Sequence, residues 1–270
     1  MPSETHLMKW LFLMRMESPA VRASAFYDFL PYRYGPYSFQ AAREIDGLVA
    51  GRFMEKGGID VPPSRYEAVQ AETRDLRLPL RRAVSEVLER YGGLSRQKLI
   101  DTVYGMYPWF ASRSELREPA DSPSAPSAVV YTVGYEGRSI DAFLDHLLRS
   151  GIERLVDVRK NAYSRKYGFT GSTLSRLCGH VGIEYVHVPA LGVPRELRLD
   201  LSTPGALEKL FAYYDGTVLP SQSVSLDRVA RLISEGPSAL LCFEADPAHC
   251  HRGRIAARLG TDTHMPVQHL

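Results

Sequence analysis

An apolar run, Ala239-Leu240-Leu241-Cys242-Phe243, delivers a carboxylate, Glu244, at its end. A turn with Asp246 and Pro247 follows, and Cys250-His251-Arg252 opens a segment, Gly253 to Leu259, that reads as a helix. A helix start offers unpaired N–H groups to an anion. Strand, loop and helix start is the place where open α/β sheets keep their chemistry, outside the carboxyl ends of the strands. A carboxylate there can act as acid or base, and a thiol beside an imidazole and a guanidinium can be activated.

Three more predicted strands end in residues of the same kind. The first runs into Gly134-Tyr135-Glu136-Gly137, the second into Asp157-Val158-Arg159 followed by Tyr163-Ser164-Arg165-Lys166, and the third ends near His187 and Pro189. In a parallel sheet these ends lie on one edge, so the groups converge on one crevice. Arg159, Arg165, Lys166 and Arg252 can neutralise phosphates, and Tyr135 and Tyr163 can stack on a base. Asp157, Glu244, Glu136 and His251 form the candidate catalytic set, with His187 and Cys250 among the groups that contact substrate. A carboxylate beside arginines can stay ionised and stabilise an oxocarbenium-like centre or orient a water. That suits N-glycosidic cleavage on a base flipped out of DNA, and also phosphodiester chemistry.

Plainer readings stand beside these. Asp157 and Arg159 alternate on one strand, so they face the same side and can form a structural ion pair. Cys242 and Cys178 read as packing residues. A phosphatase-type or rhodanese-type loop would place an arginine six positions after Cys250, where Ala256 stands, so Cys250 is expected to shape the site rather than attack. His187 on a strand suits plain hydrogen bonding. Asp246, His249 and His251 have a spacing that fits no common metal site, and neither a metal nor another cofactor is expected.

The elements that must position these groups read as α/β. Strands are expected at 129–133, 155–158, 184–188 and 239–243, with helices at 140–148, 174–181, 207–214 and 226–233. This order predicts a mostly parallel sheet flanked by helices, in a domain of residues 129–270. Residues 113–128, rich in proline and serine, read as a linker. Residues 1–112 read as a smaller, mainly helical domain. Helices are expected near Leu7–Met14, Val21–Leu30, Phe39–Leu48 (capped by Ser38), 74–91 and 95–106, with a short β-rich stretch from Gly51 to Val69. Helix, helix, capped helix, hairpin is the order of a winged helix-turn-helix. Arg33, Tyr34, Tyr37, Ser38 and Arg43 are its candidate DNA contacts, although the tyrosines suit packing of the turn equally well.

The 270 residues carry a net charge of +2, and residues 1–128 hold 17 basic and 16 acidic side chains. Neither part is a basic arm, so nucleic-acid binding would rest on local patches. Three cysteines with no paired spacing suggest a reducing compartment. The apolar stretch from Met8 to Met16 is short and interrupted by Lys9 and Arg15, so neither a signal peptide nor membrane attachment is expected, and the location is expected to be cytoplasmic.

Two resemblances add to this. The string from Phe26 to Ser38 resembles the YGPxS region of winged-helix-like domains related to the SocA-type antitoxin (Panacea) group, over about the first 110 residues. Residues 129–260 resemble the family called domain of unknown function 488. The matching motifs are Thr132-Val133-Gly134-Tyr135-Glu136-Gly137, Leu155-Val156-Asp157-Val158-Arg159, Ser164-Arg165, Gly168-Phe169, Gly182-Ile183-Glu184-Tyr185, His187-Val188-Pro189, Leu191-Gly192, and Cys242-Phe243-Glu244 with Cys250-His251-Arg252. The family usually has a proline where Ala162 stands. A DNA-binding module fused to such a domain implies an enzyme of defence or repair. The expectation is a hydrolase on double-stranded DNA, a DNA glycosylase excising a modified base such as glucosylated hydroxymethylcytosine in phage DNA. A nucleotide-sensing regulator or antitoxin-like protein and a metal-dependent nuclease are the alternatives.

Overall fold

The computed structural model describes residues 3–54, 62–65, 67, 78–117, 123–198 and 205–270. The chain divides into two compact units, Met1–Ser122 and Pro123–Leu270. The division falls inside the expected linker, but both ends of that stretch are tied down. Ser114 Oγ meets the Tyr104 hydroxyl at 2.7 Å, and the Glu115 amide donates to the Arg33 carbonyl. The Ala125 and Ala128 amides donate to the carbonyls of Gly151 and Ile233.

The first unit opens with helix α1, Glu4–Glu17. Ser18 and Pro19 then start a short helix α2, Pro19–Arg22, with the Ser18 hydroxyl accepting from the Val21 amide. The expected helix over Val21–Leu30 does not form. Arg15 of α1 bonds the carbonyls of Val21 and Arg22 and pairs with Asp28 at 2.7 Å, pinning an open stretch between them. Phe29 and Leu30 are buried, and Phe29 meets Phe12 edge to face. Strands β1 (Leu30–Tyr32) and β2 (Gly35–Tyr37) form an antiparallel hairpin. Gly35 turns it with φ +94°, and a Cβ there would lie 2.5 Å from the Tyr104 ring. Helices α3 (Phe39–Ala50), α4 (Leu78–Tyr91) and α5 (Arg96–Met106) follow. The observed order among the described residues is therefore helix, short helix, hairpin, helix, with a hairpin standing before the third helix where none was expected. Most of the stretch expected to be β-rich, Gly51 to Val69, lies outside the described residues, as do residues 74–77 of the expected helix.

The second unit is α/β, with a five-stranded parallel sheet flanked by helices. Strands β3 (Val130–Gly134), β4 (Arg154–Asp157), β5 (Glu184–His187), β6 (Ser238–Cys242) and β7 (Val267–His269) lie in the order β5-β4-β6-β3-β7, every pair parallel. Helices α6 (Ile140–Arg149), α7 (Gly171–His180), α8 (Ala206–Tyr213), α9 (Ser223–Glu235) and α10 (His251–Thr263) connect them. Strands β3 and β6 are buried throughout, as expected for a sheet covered on both faces. The α6 stripe Ile140, Phe143, Leu144, Leu147 is buried, with its start capped by Ser139. β7 is an addition to the sequence reading: three exposed residues with one apolar member, Val267, give too short a pattern to read, and the strand is held by pairing to β3.

The chain moves from β3 past β6 to β4 and β5, then back to β6 and past β3 to β7. The direction reverses around β6, which puts a switch-point crevice at its carboxyl end. No helix among the described residues is long and apolar enough to cross a membrane.

Candidate functional site at the carboxyl edge of the sheet

The edge is drawn together by its backbone. The amides of Tyr135 and Glu136 both donate to the Phe243 carbonyl, clamping the loop after β3 to the loop after β6. Gly134 permits the approach, since a Cβ there would lie 1.9 Å from the Glu244 carbonyl oxygen. Glu136 reinforces it: its Oε2 accepts from the Ala245 amide at 2.9 Å. Glu136 itself is exposed.

At the end of β4 the groups are saturated. Asp157 is fully buried and Arg159 is 5% exposed. Arg159 meets both carboxylate oxygens, Nε to Oδ1 at 2.8 Å and the second guanidinium nitrogen to Oδ2 at 2.6 Å. The Arg159 amide and the Tyr185 hydroxyl also donate to that carboxylate. The remaining arm of Arg159 reaches the Tyr135 hydroxyl at 3.0 Å. Burial works against the charged guanidinium, but the bonds and charge of Asp157 outweigh it and hold Arg159 above the ordinary arginine range. Burial and the bond to Asp157 likewise push the Tyr185 hydroxyl up. His187 Nε2 lies 2.9 Å from the Arg159 carbonyl, which fixes the turn. These residues form the structural ion pair, and Arg159 has no guanidinium edge turned to solvent for a phosphate.

Arg252 is also drawn inward. It is 1% exposed, and its two terminal nitrogens donate to the Glu244 and Ala245 carbonyls. It braces the loop that carries Glu244.

The end of β6 and the start of α10 hold a different set. Cys242 Sγ lies 3.5 Å from Glu244 Oε2 and 3.5 Å from His251 Nδ1. The ligand atoms of Cys242, Cys250 and His251 all lie within 4.8 Å of one another, and all three residues are buried. The hydrogen bond from Cys242 pulls the Cys250 thiol below the ordinary range, against the effect of burial, with His251 adding to the shift. That same contact and burial push Cys242 up. Burial and the neighbouring Cys250 charge raise Glu244. Glu244 is only partly buried, so it is the carboxylate of this edge that reaches both the cluster and solvent. Cys242, read from the sequence as packing, is buried as expected, and the fold also sets its sulfur beside the start of α10, a neighbourhood that an apolar run does not reveal. Asp246 and His249 bond each other in an exposed turn at 2.9 Å and do not join the cluster.

The rim supplies aromatic and cationic groups. Phe243 is 44% exposed and packs edge to face on Tyr135, which stacks on Phe169. Lys166 is exposed, donates to the Tyr135 carbonyl and sits over the Phe169 ring. Tyr163 and Arg165 are exposed on the same loop.

In the first unit the expected DNA contacts part company. Ser38 is fully buried and caps α3, accepting from the Ala41 amide at 3.1 Å, so it is not a surface contact. Tyr37 packs on Tyr32 and Phe39. Arg33 pairs with Glu115 at 3.3 Å, Tyr34 is 46% exposed, and Arg43 is exposed. Arg33, Tyr34 and Tyr37 line a cleft of about 390 Å³ that also holds Lys9.

Residues 139–259 match the model of the family described as Domain of unknown function DUF488, in keeping with the resemblance carried by the strand-end motifs. No curated protein and no solved structure matches the chain.

Proposed function

We propose that this protein is a hydrolase acting on a nucleotide within DNA, and that its reaction is N-glycosidic release of a modified base such as glucosylated hydroxymethylcytosine. The observation that carries this reading is the placement of Glu244. It is a partly open carboxylate at the end of the central strand, clamped by Arg252 and Glu136, beside an exposed aromatic, Phe243, and a cationic loop, 163–166. A flipped nucleotide needs an aromatic face for its base and cations for its phosphates. Cleavage at the anomeric carbon needs a carboxylate to stabilise positive charge or take a proton from water. In this reading Glu244 is the catalytic carboxylate. Phe243 and Tyr163 stack, and Arg165 and Lys166 meet phosphate. Asp157, Arg159 and Arg252 hold the loops.

The test incubates wild type and Glu244→Gln with plain DNA and with glucosylated hydroxymethylcytosine DNA, counting abasic sites and identifying released bases by mass. Wild type should release the modified base, and Glu244→Gln should be slower by about a hundredfold or more, the usual worth of a positioned acid or base. Equal rates would remove Glu244 from the role. Tight binding of DNA with no base release by wild type would favour a sensor, and strand cuts without abasic sites a nuclease.

A further inference from the structure

We infer that Cys242, Cys250 and His251 form a binding site for one divalent zinc-like ion, with its fourth position open toward Glu244. The site stands on geometry, whatever the bond broken in the proposed reaction.

A tetrahedral zinc ion, with about 2.3 Å to sulfur and about 2.0 Å to nitrogen, places a sulfur and a nitrogen ligand about 3.5 Å apart. Cys242 Sγ and His251 Nδ1 are 3.5 Å apart, and the third ligand atom, on Cys250, completes a triangle within 4.8 Å. The imidazole is already set for the task. His251 Nε2 lies 3.0 Å from the Val158 carbonyl. A carbonyl only accepts, so Nε2 carries the proton and the Nδ1 lone pair faces the sulfurs. Fixing a ligating histidine through its other nitrogen is the usual outer-shell arrangement of zinc sites. The ligands come from two rigid elements, the end of β6 and the first turn of α10, so the triangle is pre-formed.

The electrostatics agree with the geometry. Two thiolates and a neutral imidazole carry two negative charges, which a divalent ion cancels, and a neutral centre is what a site with exposures of 4%, 1% and 4% tolerates. Thiolate and imidazole donors select zinc over magnesium or calcium. Glu244 touches Cys242 Sγ yet lies outside the ligand triangle. Three protein ligands with a nearby acidic group is the pattern of an open site, where a water takes the fourth position.

The test uses the full chain, purified under reductant after expression in zinc-supplemented medium, with metal counted by mass spectrometry. One zinc per chain is expected. With cobalt(II) added to the stripped protein, a thiolate-to-cobalt charge-transfer band should appear. Cys250→Ser and Cys242→Ser should each weaken zinc binding by more than about a hundredfold, since even outer-shell partners are worth 10–100-fold. His249→Gln, two residues away and exposed, and Glu244→Gln should keep the ion. Retained zinc with lost base release in Glu244→Gln would separate this site from the proposed reaction. Circular dichroism of each variant reports whether it folds, and if the serine variants do not, the cobalt band of wild type decides alone. A wild-type chain that takes up no zinc and gives no cobalt band overturns the site. So does a Cys242–Cys250 disulfide forming in air at the same rate with and without zinc.

Discussion

The ends of β4 and β6 are neighbours in the sheet, and both carry an acid with a basic group nearby, yet they are built to opposite purposes. At β4 every polar atom of the Asp157 carboxylate is used: Arg159 takes both oxygens, and Tyr185 and a backbone amide take the rest. At β6 the donor atoms of Cys242, Cys250 and His251 face one another, and Glu244 opens to solvent. A saturated node holds its position and offers nothing to a ligand. The groups at β6 are bonded as well, Cys242 to Glu244 and His251, but they leave one carboxylate partly open to solvent. The difference supports architecture at β4 and, under the proposed function, chemistry at β6.

The sharpest way to break the comparison is to remove half of the β4 node. Asp157→Ala leaves Arg159 charged, buried and short of its partner, and should cost about 3–5 kcal/mol in denaturant unfolding. Asp157→Leu combined with Arg159→Met removes both charges and should recover most of that loss. If Asp157→Ala were well folded but inactive, the carboxylate would instead belong to the chemistry.

A smaller effect is expected at the seam between β3 and β6. A Cβ at Gly134 would lie 1.9 Å from the Glu244 carbonyl oxygen, and backbone on both sides must shift. Gly134→Ala should cost about 1–3 kcal/mol, as overpacking does. It should also slow the proposed base release more than Asp145→Ala on α6 does, because it displaces the Glu244 loop while replacing no side chain of the site. An equal effect of the two on rate would mean that the seam is not what aims Glu244.

Much of this was legible in the sequence. Strand ends with carboxylates and arginines located the edge, and the β/α alternation gave the parallel sheet. What could not be read was saturation. Asp157 and Glu244 look alike as strand-end acids, and only topology brings Tyr185 from β5 and Tyr135 from β3 onto the first node. Arg252 follows Cys250 and His251 like an anion ligand, but a helix start also presents its side chains to the loop behind it, and there it meets two carbonyls. The hairpin at Leu30–Tyr37 was hidden because Ala25, Phe26 and Phe29 mimic a helical face, while the interaction that prevents the helix comes from Arg15, more than a turn away on α1.

The first unit extends the comparison to a buried charge without a counter-ion. Lys9 is 1% exposed, donates to the Tyr34 carbonyl and faces the Tyr104 ring, and no carboxylate pairs with it among the described residues. Burial, with a smaller contribution from the Arg96 charge, lowers its pKa from 10.5 to about 8. The unfolded chain therefore keeps this proton across a window in which the folded chain has released it, and stability rises with pH there. Wild type should gain up to about 2 kcal/mol between pH 8 and 10, and Lys9→Met should flatten that rise. Above pH 10 the trend should reverse, because Tyr27 and Tyr91 are pushed up by burial and by Glu44 and Glu17, so the folded chain holds protons the unfolded one loses. Arg159, paired and held above the ordinary arginine range, predicts no such slope in this range. A wild type as flat as Lys9→Met from pH 8 to 10 would show that Lys9 finds a counter-charge in solution, and the contrast between a paired and an unpaired buried charge would fail at this position.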